Sequence, residues 1–453
     1  MPLNSRIISS LVFVAGLAHV GSCTVGLWGQ CGGSSYSGDT TCESGSKCVA
    51  LNDWFWQCQP SGSATTTTTT SSSSKTTTTS CSSTTTTTTT TSGGSTPTGC
   101  SNFVRTSGQK FTLGGSTFTV VGTNAYWLAQ KTPTQADLDK AFADIAATGA
   151  TTVRTWGFNE VTSASGTYYQ SWSGSTPTIN YGSNGLQKFD QVIASAKAHG
   201  LKLIVALTNN WQDYGGMDVY VKQIANSDNH DLFYTNSNVI QAFKNYIAVW
   251  VNRYKNEPTI LAWELANEPR CHGTTGTWTG TCTTSTITQW VQNIGSYIKG
   301  LDSCHLVGIG DEGMGLNGDG TYPYTAYEGL DFPTNLAISS IDFGTAHLYP
   351  SQWGATSDPV GWGSQWITNH YTVQKQLNKP VILEEFGVTS SQYSTYQTWL
   401  STVVSSGLAG DLIWQAGSTL SGGQTPQDGY AIFPSDSTYQ LLTQHAAALK
   451  ARG

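Results

Sequence analysis

The sequence predicts an α/β protein, a (β/α)8 TIM barrel behind a small disulfide-rich β module, and three observations carry that prediction. From residue 100 onward, short β-rich apolar runs alternate with segments of helical period, the pattern of parallel βα units. Near the N-terminus Cys31, Cys42, Cys48 and Cys58 fall within 28 residues, too few to build a core without cross-links. Between the two lies a tract of Thr and Ser, 61–98, that cannot offset chain ordering by burial and reads as a linker.

Taken in order, Arg6 and the apolar run Ile7–Val20 have the charge, length and position of a secretory signal over 1–22, too short to span a bilayer. Cleavage after Ala18 and cleavage after Ser22 both fit. Export to the extracellular space is expected, and the ten cysteines of the chain suit an oxidising compartment. The module occupies 24–59, where Trp28, Tyr36, Trp54, Phe55 and Trp56 are more rings than so short a core can hide. Exposed flat rings beside the amides of Asn52 and Gln57 suit a polysaccharide face. The four cysteines should form two disulfides, and three pairings are open. As a flexible coil the linker would span about 35 Å. Cys81 within it has no assigned role.

Charged residues make up 11% of the chain and the net charge is -7, with no basic cluster to follow a phosphate backbone or an anionic membrane. A neutral partner is favoured over nucleic acid or membrane. Sixteen Trp and 20 Tyr suit stacking on sugar rings, although each ring could equally pack a core.

The barrel, 100–453, is read from eight runs: FTVVGTNAYW, TTVRTWGF, KLIVALTNNW, ILAWELANEP, HLVGIGDEG, DFGTAHLYP, PVILEEFG and GDLIWQAG. Leu138, Ala141, Phe142 and Ile145 make one helical stripe ending at Gly149. Phe189, Val192, Ile193 and Ala196 make another ending at Gly200. Between runs five and six the helical pattern is weakest. Barrel chemistry sits where strands end. Those ends carry Arg154, the stretch Asn209, Asn210 and Trp211, then Asn267 and Glu268, His347 and Tyr349, Glu385, and Trp414. Two carboxylates from opposite sides of one mouth, Glu268 and Glu385, are what glycoside cleavage requires. Glu384, adjacent to Glu385 on a strand, should point the other way and be structural. No HExxH, paired CxxC, GxSxG or phosphate loop occurs, and DEGMGLNGDG lacks a calcium-loop register. No metal and no cofactor is expected.

The spacing WGQCGG, ten residues, Cys42, five, Cys48, nine, Cys58, with NDWFWQC closing, resembles the fungal family 1 carbohydrate-binding modules. The resemblance implies the pairs Cys31–Cys48 and Cys42–Cys58. It also implies a cellulose-binding platform of Trp28, Trp54 and Phe55 with Asn52 and Gln57 beside it. Trp56 could extend the platform or cover the back.

TVRTWGFN, LTNNWQDYGG, WELANEPRC, GTAHLYP and LEEFG resemble the fungal endo-β-1,4-mannanases of glycoside hydrolase family 5, over essentially all of 100–453. This implies Glu268 as acid/base and Glu385 as nucleophile, with Asn267 on the substrate 2-hydroxyl and Arg154 and Tyr349 bonding the nucleophile. His347 would support the acid/base, Trp414 would floor the cleavage subsite, and Trp127, Asn210 and Trp211 would contact substrate in the cleft. Cys271 and Cys304 lie at opposite ends of the barrel, beyond disulfide reach, so Cys271 is expected to pair with Cys282, while Cys100 and Cys304 are left open, a pair at the base being one option. The expected protein is a monomeric, retaining endo-mannanase acting on mannan, galactomannan and glucomannan while anchored to cellulose. A β-1,4-glucanase on the same barrel and a non-catalytic wall-binding protein are the alternatives.

Overall fold

The computed structural model describes residues 24–25, 30–33, 39–52, 55–61, 99–274, 279–316 and 320–453. The expected signal peptide, nearly all of the linker, Cys81, Trp28 and Trp54 lie outside them. The chain divides into two units at residue 91, each described by itself.

In the N-terminal unit three short antiparallel strands, Gln30–Gly32, Ser46–Asn52 and Phe55–Pro60, form one sheet with the third strand in the centre. Disulfides join Cys31 to Cys48 and Cys42 to Cys58, the pairing that the resemblance implies. Trp56 is 43% exposed and opposes Gly32 in the register. A Cβ on Gly32 would stand 2.8 Å from that indole, so only glycine lets the ring lie flat on the neighbouring strand.

In the C-terminal unit eight parallel strands follow the eight runs: β1 (Val120–Asn124), β2 (Thr152–Trp156), β3 (Lys202–Ala206), β4 (Ile260–Glu264), β5 (Leu306–Gly308), β6 (Gly344–Leu348), β7 (Val381–Phe386) and β8 (Gly410–Ile413). They pair in sequence order, with β8 returning to β1. Across the β5–β6 seam the Asp342 N–H donates to the Val307 carbonyl (2.9 Å) and the His347 N–H to the Glu312 carbonyl (3.1 Å). The ring is thereby nearly closed.

Alternation within each strand decides the layers. Val120, Ile204, Ala262, Leu306, Phe343, Ile382 and Leu412 fill the inside together with Phe111, which a hairpin at the N-terminal end inserts as a plug. The opposite parity faces the helices. Gln135–Ala147 buries Leu138, Ala141, Phe142 and Ile145, and Leu186–Ala198 buries Phe189, Val192, Ile193 and Ala196, the two stripes read from sequence. Each Leu, Ile, Val and Phe among them contributes about 1.5–3 kcal/mol of burial. Where the sequence pattern was weakest, between β5 and β6, the helix is only Phe332–Ala337. A disulfide links Cys100 to Cys304 at the base and another links Cys271 to Cys282 at the mouth.

Candidate active site

Above the apolar filling, the last inward residue of several strands is polar, and Arg154 organises them. Its five N–H groups donate to Glu264 (2.8 and 2.5 Å), to Asn267 Oδ1 (2.8 Å), to Asn124 Oδ1 (3.1 Å) and to Glu385. The guanidinium is wholly buried and lies 4.8 Å from the Trp156 ring. A planar fork suits this site, because a buried cation is tolerated only when its donors are all engaged.

Glu385, at the end of β7, takes its second donor from the Tyr349 hydroxyl at 2.8 Å. Burial pushes its carboxyl above the ordinary range, while the charges of His347 and Arg154 pull the other way. Glu268 follows β4 in a left-handed conformation (φ 50°), its N–H held by the Gly310 carbonyl at 2.8 Å. Gly310 is itself left-handed, and a Cβ there would meet the Ala266 carbonyl and Glu264 at 2.1 Å. Strain of this kind survives where the surroundings over-determine it. Glu268 accepts from His347 Nδ1 (2.7 Å) and from the Trp211 indole (2.5 Å). Burial works to raise Glu268, but the His347 bond and charge, Arg270 and the Trp211 N–H prevail and hold it at about 2. Burial works to lower His347, yet the charges of Glu385 and Glu268 and the nearness of Glu384 raise it well above an ordinary histidine. The proton shared by Glu268 and His347 therefore rests on the imidazole. One oxygen each of Glu268 and Glu385 and one nitrogen of His347 lie within 4.8 Å of one another.

The cleft above them has a volume of about 440 Å³. Asn209, Trp211, Asn267, Glu268, Tyr349, Glu385 and Trp414 line it. Asn267 spans Arg154 and, through Nδ2, Asn209 Oδ1 at 2.9 Å. Trp414 is held by its indole N–H on Asp428 (2.8 Å) and stacks against Tyr126, with centroids 5.5 Å apart and planes 9° apart. Tyr126, Trp156 and Tyr214 continue that aromatic wall, and Gln352, Asp213 and Tyr430 complete the lining.

Three expectations are corrected. Trp127 does not line the cleft: it is fully buried, its indole N–H directed at the Ala416 carbonyl (3.3 Å). The strand ends at Asn124, and Trp127 caps the short helix Leu128–Lys131 that follows, which carries its ring into the core. Asn210 is also fully buried and touches no cleft. It donates to the His272 carbonyl (2.9 Å) and accepts from His230 Nε2 (3.0 Å), bracing the loop after β4. Asn209 takes the cleft position instead. Glu384, expected to point away, is inside the barrel, 3.5 Å from Arg154 Nε and 3.7 Å from His347 Nε2. Tyr126 and Trp156 sat unremarked within the sequence runs, and the parity of Arg154 would have found Trp156. Gln352, Asp428 and Tyr430 arrive on loops that carry no periodic signal. In the small module the backbones of Asn52, Phe55 and Gln57 lie in strands, and their side chains fall outside the described set.

A parallel eight-stranded barrel whose mouth holds two carboxyls with separate donor sets is the architecture of a glycoside hydrolase. Residues 101–406 match the family described as GH family 5 beta-mannosidase-like, and 27–55 match the fungal cellulose binding domain. The chain belongs to that glycoside hydrolase family. It is 44% identical over 446 residues to mannan endo-1,4-beta-mannosidase F of Aspergillus fumigatus, covering 96% of this chain and 99% of the relative. With mannan endo-1,4-beta-mannosidase A of Aspergillus aculeatus it shares 46% identity over 77% of this chain and 91% of that one. The crystal structure of an endo-1,4-beta-mannanase from Rhizomucor miehei superposes with a TM-score of 0.72 at 40% identity, covering 77% of this chain and 99% of that one.

Proposed function

We propose that this chain is a secreted, retaining endo-hydrolase of β-1,4-mannosidic linkages in mannan, galactomannan and glucomannan, anchored to cellulose by its N-terminal module. One observation carries the mechanism: oxygens of Glu268 and Glu385 approach within 4.8 Å. Retaining pairs stand about 5–5.5 Å apart, whereas inverting pairs need about 6.5–9.5 Å to admit a water.

Glu385, steadied by Arg154 and Tyr349, attacks the anomeric carbon while Glu268 protonates the leaving oxygen. Glu268 then takes a proton from water, and the hydroxide equivalent releases the sugar with its original configuration. Glu268 sits low and Glu385 high, the reverse of what the two roles need. A bound sugar has to raise the proton affinity of Glu268 for its turn as acid, and exclusion of water from the cleft acts in that direction. Covalent use of Glu385 then removes a neighbouring negative charge, which lowers Glu268 again for its turn as base. Asn267 holds the 2-hydroxyl, Trp414 floors the cleavage subsite and Trp211 flanks it. The carboxyls supply both proton transfer and nucleophile, so no cofactor is required. In the module Trp28, Trp54 and Phe55, with Asn52 and Gln57, take the cellulose surface. The enzyme works as a monomer outside the cell.

Proton NMR of mannopentaose hydrolysis tests the mechanism. The first reducing ends should be β, and α ends appearing first would overturn retention. Glu385→Ala should lose about 10⁴-fold or more in kcat while keeping cellulose binding. Rates on galactomannan and carboxymethylcellulose separate a mannanase from a glucanase.

A further inference from the structure

We infer that Glu384 is a positioning residue that acts through His347: its carboxyl pairs with the far nitrogen, Nε2, and thereby holds Nδ1 as the nitrogen that donates to Glu268. This rests on the assignment of Glu268 as acid/base.

The backbone places Glu384 there by a register slip. Ala346 pairs with Leu383 and His347 with Glu385, so Glu384 is an extra residue opposite none. Ile382 belongs to the inner filling and Leu383 to the helix side, so alternation turns Glu384 inward. The slip then lets Glu385 face the mouth as well. Two consecutive glutamates thus serve one site.

Glu384 is wholly buried, and neither carboxyl oxygen has a hydrogen bond. His347 Nε2 is likewise buried and unbonded, 3.7 Å from Glu384 Oε2. The other near donor, Arg154 Nε, is already engaged with Glu264 at 2.8 Å. Two unsatisfied buried polar groups facing each other are costly, and closing the gap by less than an ångström satisfies both. Burial and the Glu264 charge push the Glu384 carboxyl up, against the pull of Arg154 and His347, so one proton is shared between Glu384 and Nε2. On either side of the gap that proton leaves Nδ1–H intact.

The consequence lies at Glu268. In a neutral imidazole one nitrogen donates and the other accepts, and the partner of the far nitrogen decides which. Nδ1–H held on Oε1 of Glu268 leaves Oε2, on the Trp211 side, for proton traffic. The same bond serves the protonated acid and the carboxylate that follows it, so His347 need not turn over during the cycle.

Two substitutions and one spectrum test this in the full chain. Glu384→Met fills the space without a donor, and Glu384→Gln keeps an N–H for Nε2. On mannopentaose, Glu384→Met should lose about 10–100-fold in kcat/KM and Glu384→Gln should stay within about threefold of wild type. On 2,4-dinitrophenyl β-mannobioside, whose leaving group needs no proton, Glu384→Met should change kcat/KM by less than about threefold. Equal losses on both substrates, no loss on mannopentaose, or Glu384→Gln as poor as Glu384→Met would each overturn the inference. Imidazole ¹⁵N spectra, with His347 assigned by substitution, should find Nδ1 protonated in wild type whether or not Glu384→Met folds. A pyridine-like Nδ1 would overturn it. Glu268→Ala is the control: a loss on mannopentaose alone keeps the acid/base assignment, and equal losses on both substrates remove it, a result distinct from failure of the Glu384 variants.

Discussion

Two buried acidic regions of this chain are given different partners. Inside the mouth, Glu264 and Glu385 surround Arg154, and His347 stands beside them. Just beyond β2, Glu160 is 3% exposed and has only neutral partners, the Gly216 N–H at 3.0 Å and the Tyr220 hydroxyl at 3.4 Å. Burial pushes Glu160 up to about 8 against the pull of those donors, so it is a neutral acid over most of the physiological range. The residue type and the depth are alike. What differs is the cation: Glu264 and Glu385 each accept from Arg154, whereas the hydrogen bonds to the Glu160 side chain come from neutral groups.

Removing that cation should have the largest effect. Arg154→Met would leave Glu264 and Glu385 as uncompensated buried charges, at a cost of about 3–5 kcal/mol. Activity should fall about 10³-fold or more, because Glu385 loses one of its two donors. Urea unfolding and initial rates on mannan measure the two losses. Arg154→Lys should recover part of the stability and little of the rate, since a single ammonium cannot span Glu264, Asn267, Asn124 and Glu385. An Arg154→Met enzyme as stable and active as wild type would erase the contrast between the regions.

The two sides of the mouth also differ in how legible they were. All eight strands could be read from the sequence, because parallel strands buried on both faces appear as near-continuous apolar runs. The polar ends of those runs marked Arg154, Asn267, Glu268, His347, Tyr349, Glu385 and Trp414. Legibility failed where parity mattered. Trp127 and Asn210 sit one residue from the cleft-facing Tyr126 and Asn209, past the ends of β1 and β3, where strand alternation no longer tells which side chain turns inward. Glu384 was misplaced because a bulge leaves no mark in composition. Glu160, Asp428 and Tyr430 depend on loops whose course follows no period. Trp156→Ala and Trp127→Ala sharpen the point. The first removes a cleft wall and should raise KM severalfold, along with a loss of stability because the ring also packs on Phe158 and Arg154. The second opens a cavity in the core and should cost about 3–5 kcal/mol with little change in KM for the enzyme that still folds.

The uncompensated region should reveal itself through pH. A carboxyl whose folded pKa is raised favours the folded state while it stays protonated. The contribution is complete below the unfolded value near 4.5 and is lost as pH rises through about 8. Glu160 should therefore withdraw about 3 kcal/mol of stability between pH 5 and pH 8. Asp311, pushed up to about 7 by burial, acts in the same direction, so wild type should melt progressively lower across this range. Glu160→Gln keeps a carbonyl oxygen for the Gly216 N–H and cannot ionise. Its melting temperature should fall less steeply with pH, converging on wild type at pH 5 and exceeding it at pH 8, as followed by circular dichroism. Parallel pH curves for the two proteins would mean that Glu160 keeps its charge after all, and that a cation is not what separates the regions.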